Sequence, residues 1–295
     1  MRIVYHLGAI CTDEERLLRC LLKNRAVLAE QGIVVPGPNR YRTLLRDTVI
    51  SLKGQAATRD TQALVLDQIM DEDQADRLIL SWDSFLALPP WVMENGLYRA
   101  AGERVRAFSQ IFPEIEAEFH LAIRNPATFL PALFARQAAD RKRGKTYDQL
   151  LGPLDILDLR WSDVIGQILE MNPDVPLTVW CDEDTPLIWP EVLQAVSGHA
   201  PDTALEDHDE LLAQIMSAEG LVRMNTYLAS HPTPTPALRR KVVSAFLDKF
   251  ALPDRIEIEV ELPGWTEETV ADLTRIYDQD VARIMEMPGV TFIAP

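Results

Sequence analysis

Short apolar runs alternate along most of the chain with longer segments of helical periodicity. The runs are rich in Ile, Val and Leu and predict β-strands at 3–6, 33–35, 78–80, 118–124 and 176–181. Between them, apolar residues recur three and four positions apart, which predicts helices at 13–31, 40–51, 58–71, 101–112, 127–140, 160–171, 189–197, 207–217, 225–230, 238–250 and 265–286. Strands that alternate with helices indicate a mainly parallel sheet covered on both faces. We therefore predict a single α/β domain over 1–295, a three-layer α/β/α sandwich with extra C-terminal helices and mainly helical elaborations at 141–175 and 200–295.

The first strand, its loop and the following helix are the unit on which the site hypothesis depends. The strand ends at His6, the loop contains Gly8, and Thr12 or Asp13 is placed to cap the helix. A helix N-terminus offers free backbone N–H groups and the positive end of the helix dipole to an anion. The strand–loop–helix order therefore indicates an anion site.

The composition of this loop does not suit a phosphate. A phosphate-binding loop needs several glycines, a lysine and a following Ser or Thr, whereas this loop has one glycine, no lysine and three acids at 13–15. A like-charge pair at ~4 Å costs on the order of 4 kcal/mol at an effective dielectric near 20, and one helix dipole returns roughly 0.3–2 kcal/mol. The residues thus indicate that the anion site is altered or lost.

The N-terminal motif resembles the start of bacterial sulfotransferase-like proteins. The motif reads His6-x-Gly8-x-x-Cys11-Thr12. The end of the predicted helix that follows it, and the residues beyond, read Asn-Arg-Ala-Val-Leu-Ala-Glu-Gln-Gly-Ile-x-x-Pro-Gly at 24–37, which is also similar to the family. The resemblance implies a fold like that of the P-loop kinases and the donor 3′-phosphoadenosine 5′-phosphosulfate. In the family, Lys-Thr-Gly-Thr-Thr holds the 5′-phosphosulfate. Here the lysine becomes Cys11, Thr12 matches, and the last three positions become Asp-Glu-Glu.

Two further segments carry the resemblance. The stretch 119–134 is similar to the family motif in which an Arg and a Ser grip the donor's 3′-phosphate: Arg124, Pro126 and Phe134 match, and the serine is Ala132. The family also has a Ser-x-acid motif at the end of a strand, and the residues at 81–83 are similar to it. The resemblance implies that Gly8, Cys11, Thr12 and Arg124 bind the donor, and that His6 or Asp83 deprotonates an acceptor hydroxyl.

Each of these side chains also has a plausible structural role. In a parallel sheet, ligands bind beyond the carboxyl ends of the strands, where all of them lie. His6 is either an acid/base group or a histidine that closes a strand. Asp83 is either a general base or a loop cap. Arg124 is either a phosphate ligand or one half of an ion pair.

The remaining candidate chemistry gives weaker signals. Cys11 lies near a helix N-terminus, which lowers the pKa of a thiol, but the acids beside it raise that pKa. The acids at 182–184 suit either a hard cation or, more often, a solvated turn. The five histidines are scattered without an HExxH or Cys-x-x-Cys pattern, so no zinc site is indicated.

Charge and hydropathy narrow the classes of partner. The 295 residues carry a net charge of −16, which argues against nucleic acid and anionic membranes, because both need a basic footprint. No apolar stretch has the roughly 18–20 residues of a membrane span, and we see no secretory signal. The three cysteines are widely spaced, which indicates reduced thiols. We expect a cytoplasmic protein whose partner is a nucleotide donor, a small-molecule acceptor or another protein.

Two functional hypotheses remain open at this stage. The first is a sulfotransferase-like relative, degenerate at the donor site and non-catalytic, that works by binding. The second is an active sulfotransferase with a remodelled donor loop, which transfers sulfate to an unknown hydroxyl. A surviving site predicts an open pocket between the loop at 8–12 and Arg124. A lost site predicts that Glu14 or Glu15 pairs with Arg124, or that side chains fill the pocket.

Overall fold

The computed structural model describes residues 1–139, 146–152, 154–231, 233, 235–256, 262 and 264–295. Within this part of the chain, all strands belong to one parallel sheet of order β2-β3-β1-β4-β5-β6. The strands are β1 (Arg2–His6), β2 (Ile33–Val34), β3 (Arg77–Ser81), β4 (Glu116–Ile123), β5 (Leu177–Cys181) and β6 (Val290–Ile293). The predicted α/β class and parallel sheet are therefore confirmed.

Fourteen helices of the described residues surround the sheet. They are α1 (Arg16–Lys23), α2 (Arg25–Ala29), α3 (Pro38–Leu52), α4 (Arg59–Ile69), α5 (Ala101–Ser109), α6 (Pro126–Ala138), α7 (Tyr147–Leu151), α8 (Trp161–Met171), α9 (Thr185–Ser197), α10 (Glu210–Ile215), α11 (Ala218–Ser230), α12 (Pro236–Phe250), α13 (Pro253–Ile256) and α14 (Glu267–Met285). The predicted elaboration at 141–175 falls partly outside the described residues, at 141–145 and 153.

Helices cover both faces of the sheet. Apolar residues of α1, α2 and α9 pack on the face that carries Val4, Ile79 and Trp180. Helices α3, α4, α5, α6 and α8 pack on the opposite face, which carries Tyr5 and Leu80. Strands buried on both sides are apolar at nearly every position, which explains why the sequence shows continuous runs rather than alternation. The arrangement is consistent with a three-layer α/β/α sandwich.

A buried polar network interrupts the apolar face under α9. Arg77 of β3 holds Glu118 of β4 with two hydrogen bonds of 2.5 and 3.1 Å, and His120 Nε2 lies 2.6 Å from the same carboxylate. Arg77 also donates to the carbonyl of Val196 in the last turn of α9, at 2.9 Å. Burial raises the pKa of Glu118, but the hydrogen bonds from His120 and Arg77 outweigh that effect and bring the pKa to about 2. The network therefore ties two strands and a helix C-terminus together.

Several elements differ from the sequence prediction; α7 and α13 were not predicted, and α11 begins at Ala218 instead of Asn225. The predicted helix 13–31 begins only at Arg16 and is interrupted at Asn24. The amide of Asn24 donates to the carbonyls of Cys20 and Glu206, so this side chain links the break to a distant loop. Strand β6 was not predicted, because its four residues at the sheet edge are only partly buried and show no distinctive pattern.

The strand order separates the loops at the carboxyl edge of the sheet. From β1 the chain runs through α1 and α2 to β2 on one side, whereas from β4 it runs to β5 on the other side. Such a divergence between neighbouring strands opens a crevice at which α/β proteins bind ligands.

Among the described residues, no helix combines the length and apolar character that a bilayer crossing requires.

The contact between α5 and α8 provides a test of the packing. A Cβ on Gly102 would lie 2.3 Å from the Gln167 carbonyl oxygen, whereas one on Gly166 would meet nothing within 4 Å. We expect Gly102→Ala to lower the free energy of unfolding by about 1–3 kcal/mol through overpacking. Gly166→Ala, the matched control on α8, should raise it by roughly 0.4–1 kcal/mol. Urea unfolding measures both, and equal effects of the two substitutions would contradict the helix contact.

Candidate functional site

The loops that follow four neighbouring strands meet at the carboxyl edge of the sheet. They are residues 7–15 after β1, 82–84 after β3, 124–125 after β4 and 182–184 after β5. This edge contains all the predicted site residues, since each stands at or just beyond a strand end. The structure thus places them in one region, and the contacts of each decide what the region can do.

The loop after β1 follows a strained path. Gly8 has a left-handed φ of +48°, and a Cβ there would lie 3.6 Å from the Asp83 Cα, so the loop runs close to the segment after β3. Three residues with side chains, Cys11, Glu14 and Glu15, have φ of 64°, 49° and 64°. A left-handed conformation costs such residues roughly 1–2 kcal/mol each, which surrounding contacts must offset.

The carboxylate of Asp13 occupies the N-terminal turn of α1. Its Oδ1 accepts from the Glu15 N–H at 3.2 Å and its Oδ2 accepts from the Leu17 N–H at 3.1 Å. Thr12 turns back into the loop, where its hydroxyl donates to the Ala9 carbonyl at 2.6 Å. Amides at this turn are the groups that bind an anion in phosphate-binding loops. Here an anion of the chain itself holds two of them.

Arg124 reaches the loop but binds its backbone. Its Nη1 donates to the Cys11 carbonyl at 2.5 Å, and its Nε donates to the Thr128 hydroxyl at 3.0 Å. The Trp161 indole N–H donates to the Arg124 carbonyl at 2.8 Å, which helps to hold the backbone of Arg124 in place. The guanidinium therefore clamps the strained loop to the start of α6.

The acids at 14 and 15 have other partners than the expected one. Glu14 forms an ion pair with Arg16 at 3.0 Å, and Glu15 pairs with Arg42 of α3 at 2.5 Å. Glu14 and Glu15 therefore pair with other arginines, and not with Arg124 as the lost-site hypothesis predicted. The acid that binds amides at the start of α1 is instead Asp13, one of the two predicted capping residues, the other being Thr12.

Asp83 and Cys11 share a cationic neighbour, Arg136 of α6. Arg136 Nη2 lies 2.7 Å from Asp83 Oδ2, and the Ser84 hydroxyl donates to Asp83 Oδ1 at 3.1 Å. Burial raises the pKa of the Cys11 thiol, although Arg136 and Arg124 act in the opposite direction. The thiol is thus mainly protonated at neutral pH, and the Asp83 carboxylate is engaged in an ion pair.

His6 lies inside the sandwich, beneath the loop. Its side chain is 1% exposed, its Nδ1 is 2.9 Å from the Ser81 hydroxyl, and its ring stacks on Trp180 at 6.0 Å. Burial lowers its pKa, so the imidazole is neutral at pH 7. Its Nε2 has no hydrogen-bond partner among the residues that the structure describes. Of the two residues proposed for proton transfer, His6 and Asp83, the histidine is thus buried and neutral.

Asp182 is a feature that sequence reasoning missed. It is the first acid after β5, half-buried, and burial together with Glu183 and Asp13 raises its pKa to about 7, against the opposing effect of Arg124 and Arg16. The position within a run of three acids was the only sequence signal. Among the described residues, no cluster of His, Cys, Asp and Glu could hold a metal ion.

Neither a scan of family models nor searches of curated proteins and solved structures returned a match to this chain. A functional assignment therefore depends on the geometry at the carboxyl edge.

Because the pKa of Asp182 is raised, we predict that replacing this aspartate with a neutral side chain increases the stability of the protein in a pH-dependent way. Because the folded-state pKa of about 7 exceeds the usual value of an aspartate, the buried charge opposes folding fully above pH 7 and progressively less as the pH falls toward 4. We expect Asp182→Asn to raise the free energy of unfolding by a few kcal/mol at about pH 8 and to change it little near pH 4.

Urea unfolding at about pH 8, 6 and 4 measures this dependence. The exposed Asp174, at the opposite edge of the sheet, supplies the control Asp174→Asn, which should stay within about 0.5 kcal/mol of the unsubstituted protein at each pH. A loss of stability in Asp182→Asn at pH 8 would contradict the raised pKa.

Proposed function

We propose that this chain is a sulfotransferase-like protein whose donor site is closed from within, and that it works by binding a partner rather than by catalysis. One observation carries the proposal: the Asp13 carboxylate holds the first-turn amides of α1, at the position where the family's loop meets the 5′-phosphosulfate of 3′-phosphoadenosine 5′-phosphosulfate. A donor phosphate would have to displace this carboxylate and approach Glu14 and Glu15 as well.

The contacts of Arg124 support the same conclusion. In the resemblance this arginine grips the 3′-phosphate, but here its Nη1 and Nε are both engaged, with the Cys11 carbonyl and the Thr128 hydroxyl. The lysine that would stabilise the transferring group is replaced by Cys11. Such electrostatic stabilisation is often worth about 3–4 kcal/mol per group, so its loss weakens catalysis more than it weakens the fold.

The second candidate is an active sulfotransferase with a remodelled donor loop, and Asp182 favours it. A carboxylate with a pKa of about 7 at the edge of the site has the acid/base property that deprotonation of an acceptor hydroxyl requires. In this alternative, Asp182 takes the role that the resemblance assigned to His6 or Asp83. The electrostatic effect of Arg124 on Asp182 shows that the two groups are close.

Calorimetric titration with adenosine 3′,5′-bisphosphate, the scaffold of the donor, separates the two candidates. We expect no measurable heat with the unsubstituted protein up to about 1 mM ligand, because Asp13 and Arg124 are already engaged. Micromolar binding that Arg124→Glu abolishes would overturn the closed-site proposal and support the remodelled enzyme.

A double variant provides the positive control. Cys11→Lys with Asp13→Gly restores the Lys-Thr-Gly sequence of the family and removes the internal anion. We expect this variant to bind adenosine 3′,5′-bisphosphate with a dissociation constant at least about tenfold below that of the unsubstituted protein, since one charge-assisted contact is regained. Binding that is absent from both proteins would argue against the family relationship itself.

A further inference from the structure

A groove of about 600 Å³ lies between α9, the segment 199–208 and the start of α12, and its lining includes no residue of the loops at the carboxyl edge of the sheet. Its walls include Leu193, Leu205 and Pro236, and its polar lining includes Glu191 and Arg239. Ligand sites for small molecules fall in this range of volume and combine apolar walls with a few polar groups. The groove belongs to the layer of the sandwich opposite α6 and α14.

Two polar atoms of residues that line this groove have no partner in the part of the chain that the structure describes. Arg239 Nη1 and Glu191 Oε2 are both shielded from solvent and make no hydrogen bond there. Burial lowers the pKa of Arg239, while the charges of Glu191 and Asp209 act in the opposite direction, and the guanidinium stays protonated at neutral pH. A buried polar atom without a partner costs roughly 1–3 kcal/mol, and more when the group is charged. Two residues that line the groove therefore carry one donor atom and one acceptor atom that no described residue engages.

The neighbouring charges define which ligand would suit these atoms. Glu191 Oε1 pairs with Arg240 at 2.6 Å, and Asp209, whose charge acts on Arg239, accepts from the Asn225 amide at 2.7 Å. Two acids and two arginines leave the region with no net charge, within a chain of net charge −16. These four side chains therefore do not attract an anion at long range. A zwitterion, which has no net charge but carries one positive and one negative group, matches the unpaired donor and acceptor.

We propose that this groove binds a free amino acid with an apolar side chain. The ligand carboxylate accepts from the Arg239 guanidinium, the ammonium group donates to Glu191 Oε2, and the side chain packs on Leu193, Leu205 and Pro236. Both polar side chains line the groove, and a change of rotamer, which is common on binding, brings the shielded atoms to the ligand. The site is independent of the donor position, and its test does not depend on the outcome there.

Calorimetry on the full chain with L-leucine and two analogues tests the proposal. N-acetyl-L-leucine lacks the ammonium group, and L-leucinamide lacks the carboxylate. We expect L-leucine to bind with a dissociation constant of about 1 mM or lower. The dissociation constant of each analogue should be at least about tenfold higher, because each analogue loses one charge-assisted hydrogen bond. This comparison uses the unsubstituted protein, so no question of misfolding arises.

Substitutions locate the site. Arg239→Gln should weaken L-leucine binding about tenfold or more, whereas Lys241→Gln, two positions along on the exposed part of α12, should leave it unchanged. Absence of binding and of a thermal shift at about 10 mM L-leucine would overturn the proposal. Equal affinity for L-leucine and N-acetyl-L-leucine would overturn the role of Glu191, and unchanged binding by Arg239→Gln would place any leucine site elsewhere.

Discussion

Because helices cover both faces of the sheet, polar side chains on its strands must find partners inside the sandwich. Glu118 meets this requirement with Arg77 and His120, and His6 meets it on one side with Ser81. A buried carboxylate without such partners would neutralise by taking up a proton, whereas here its pKa is lowered to about 2. These contacts join β3, β1 and β4, so they fix the register that brings the loops at the carboxyl edge together.

The loop after β1 shows how a side chain of the chain itself can bind the amides at a helix N-terminus. Free amides at the first turn of a helix attract an anion, and the chain provides one through Asp13. The Arg124 clamp on the Cys11 carbonyl then holds a loop that contains left-handed residues with side chains. Glycines would adopt the same path without strain, but they would leave the loop free to move. The loop is thus held in one conformation by Asp13 and by Arg124.

The sequence predicted the sheet and its edge better than the contacts made there. Strands β1, β2, β3 and β5 lie in short apolar runs, and β4 lies in a segment that alternates and then becomes apolar, so their positions were evident, whereas β6 is short and partly exposed. The convergence of Gly8 and Arg124 at one edge follows from strand order. The hydrogen bonds of Asp13 and the raised pKa of Asp182 depend on side-chain directions and burial, which a run of acids does not reveal. The break at Asn24 likewise depends on a contact with Glu206, distant in sequence.

The order of the strands also has a kinetic consequence. Strand β1 lies in the middle of the sheet, but its neighbours β3 and β4 follow it by 75 and 114 positions in register. During synthesis, β1 is therefore made long before either partner and stays unpaired while about 75 residues are added, a matter of several seconds. An apolar strand with both edges open is a target for aggregation and for chaperones. Folding of this chain should accordingly be slow and dominated by non-local pairing.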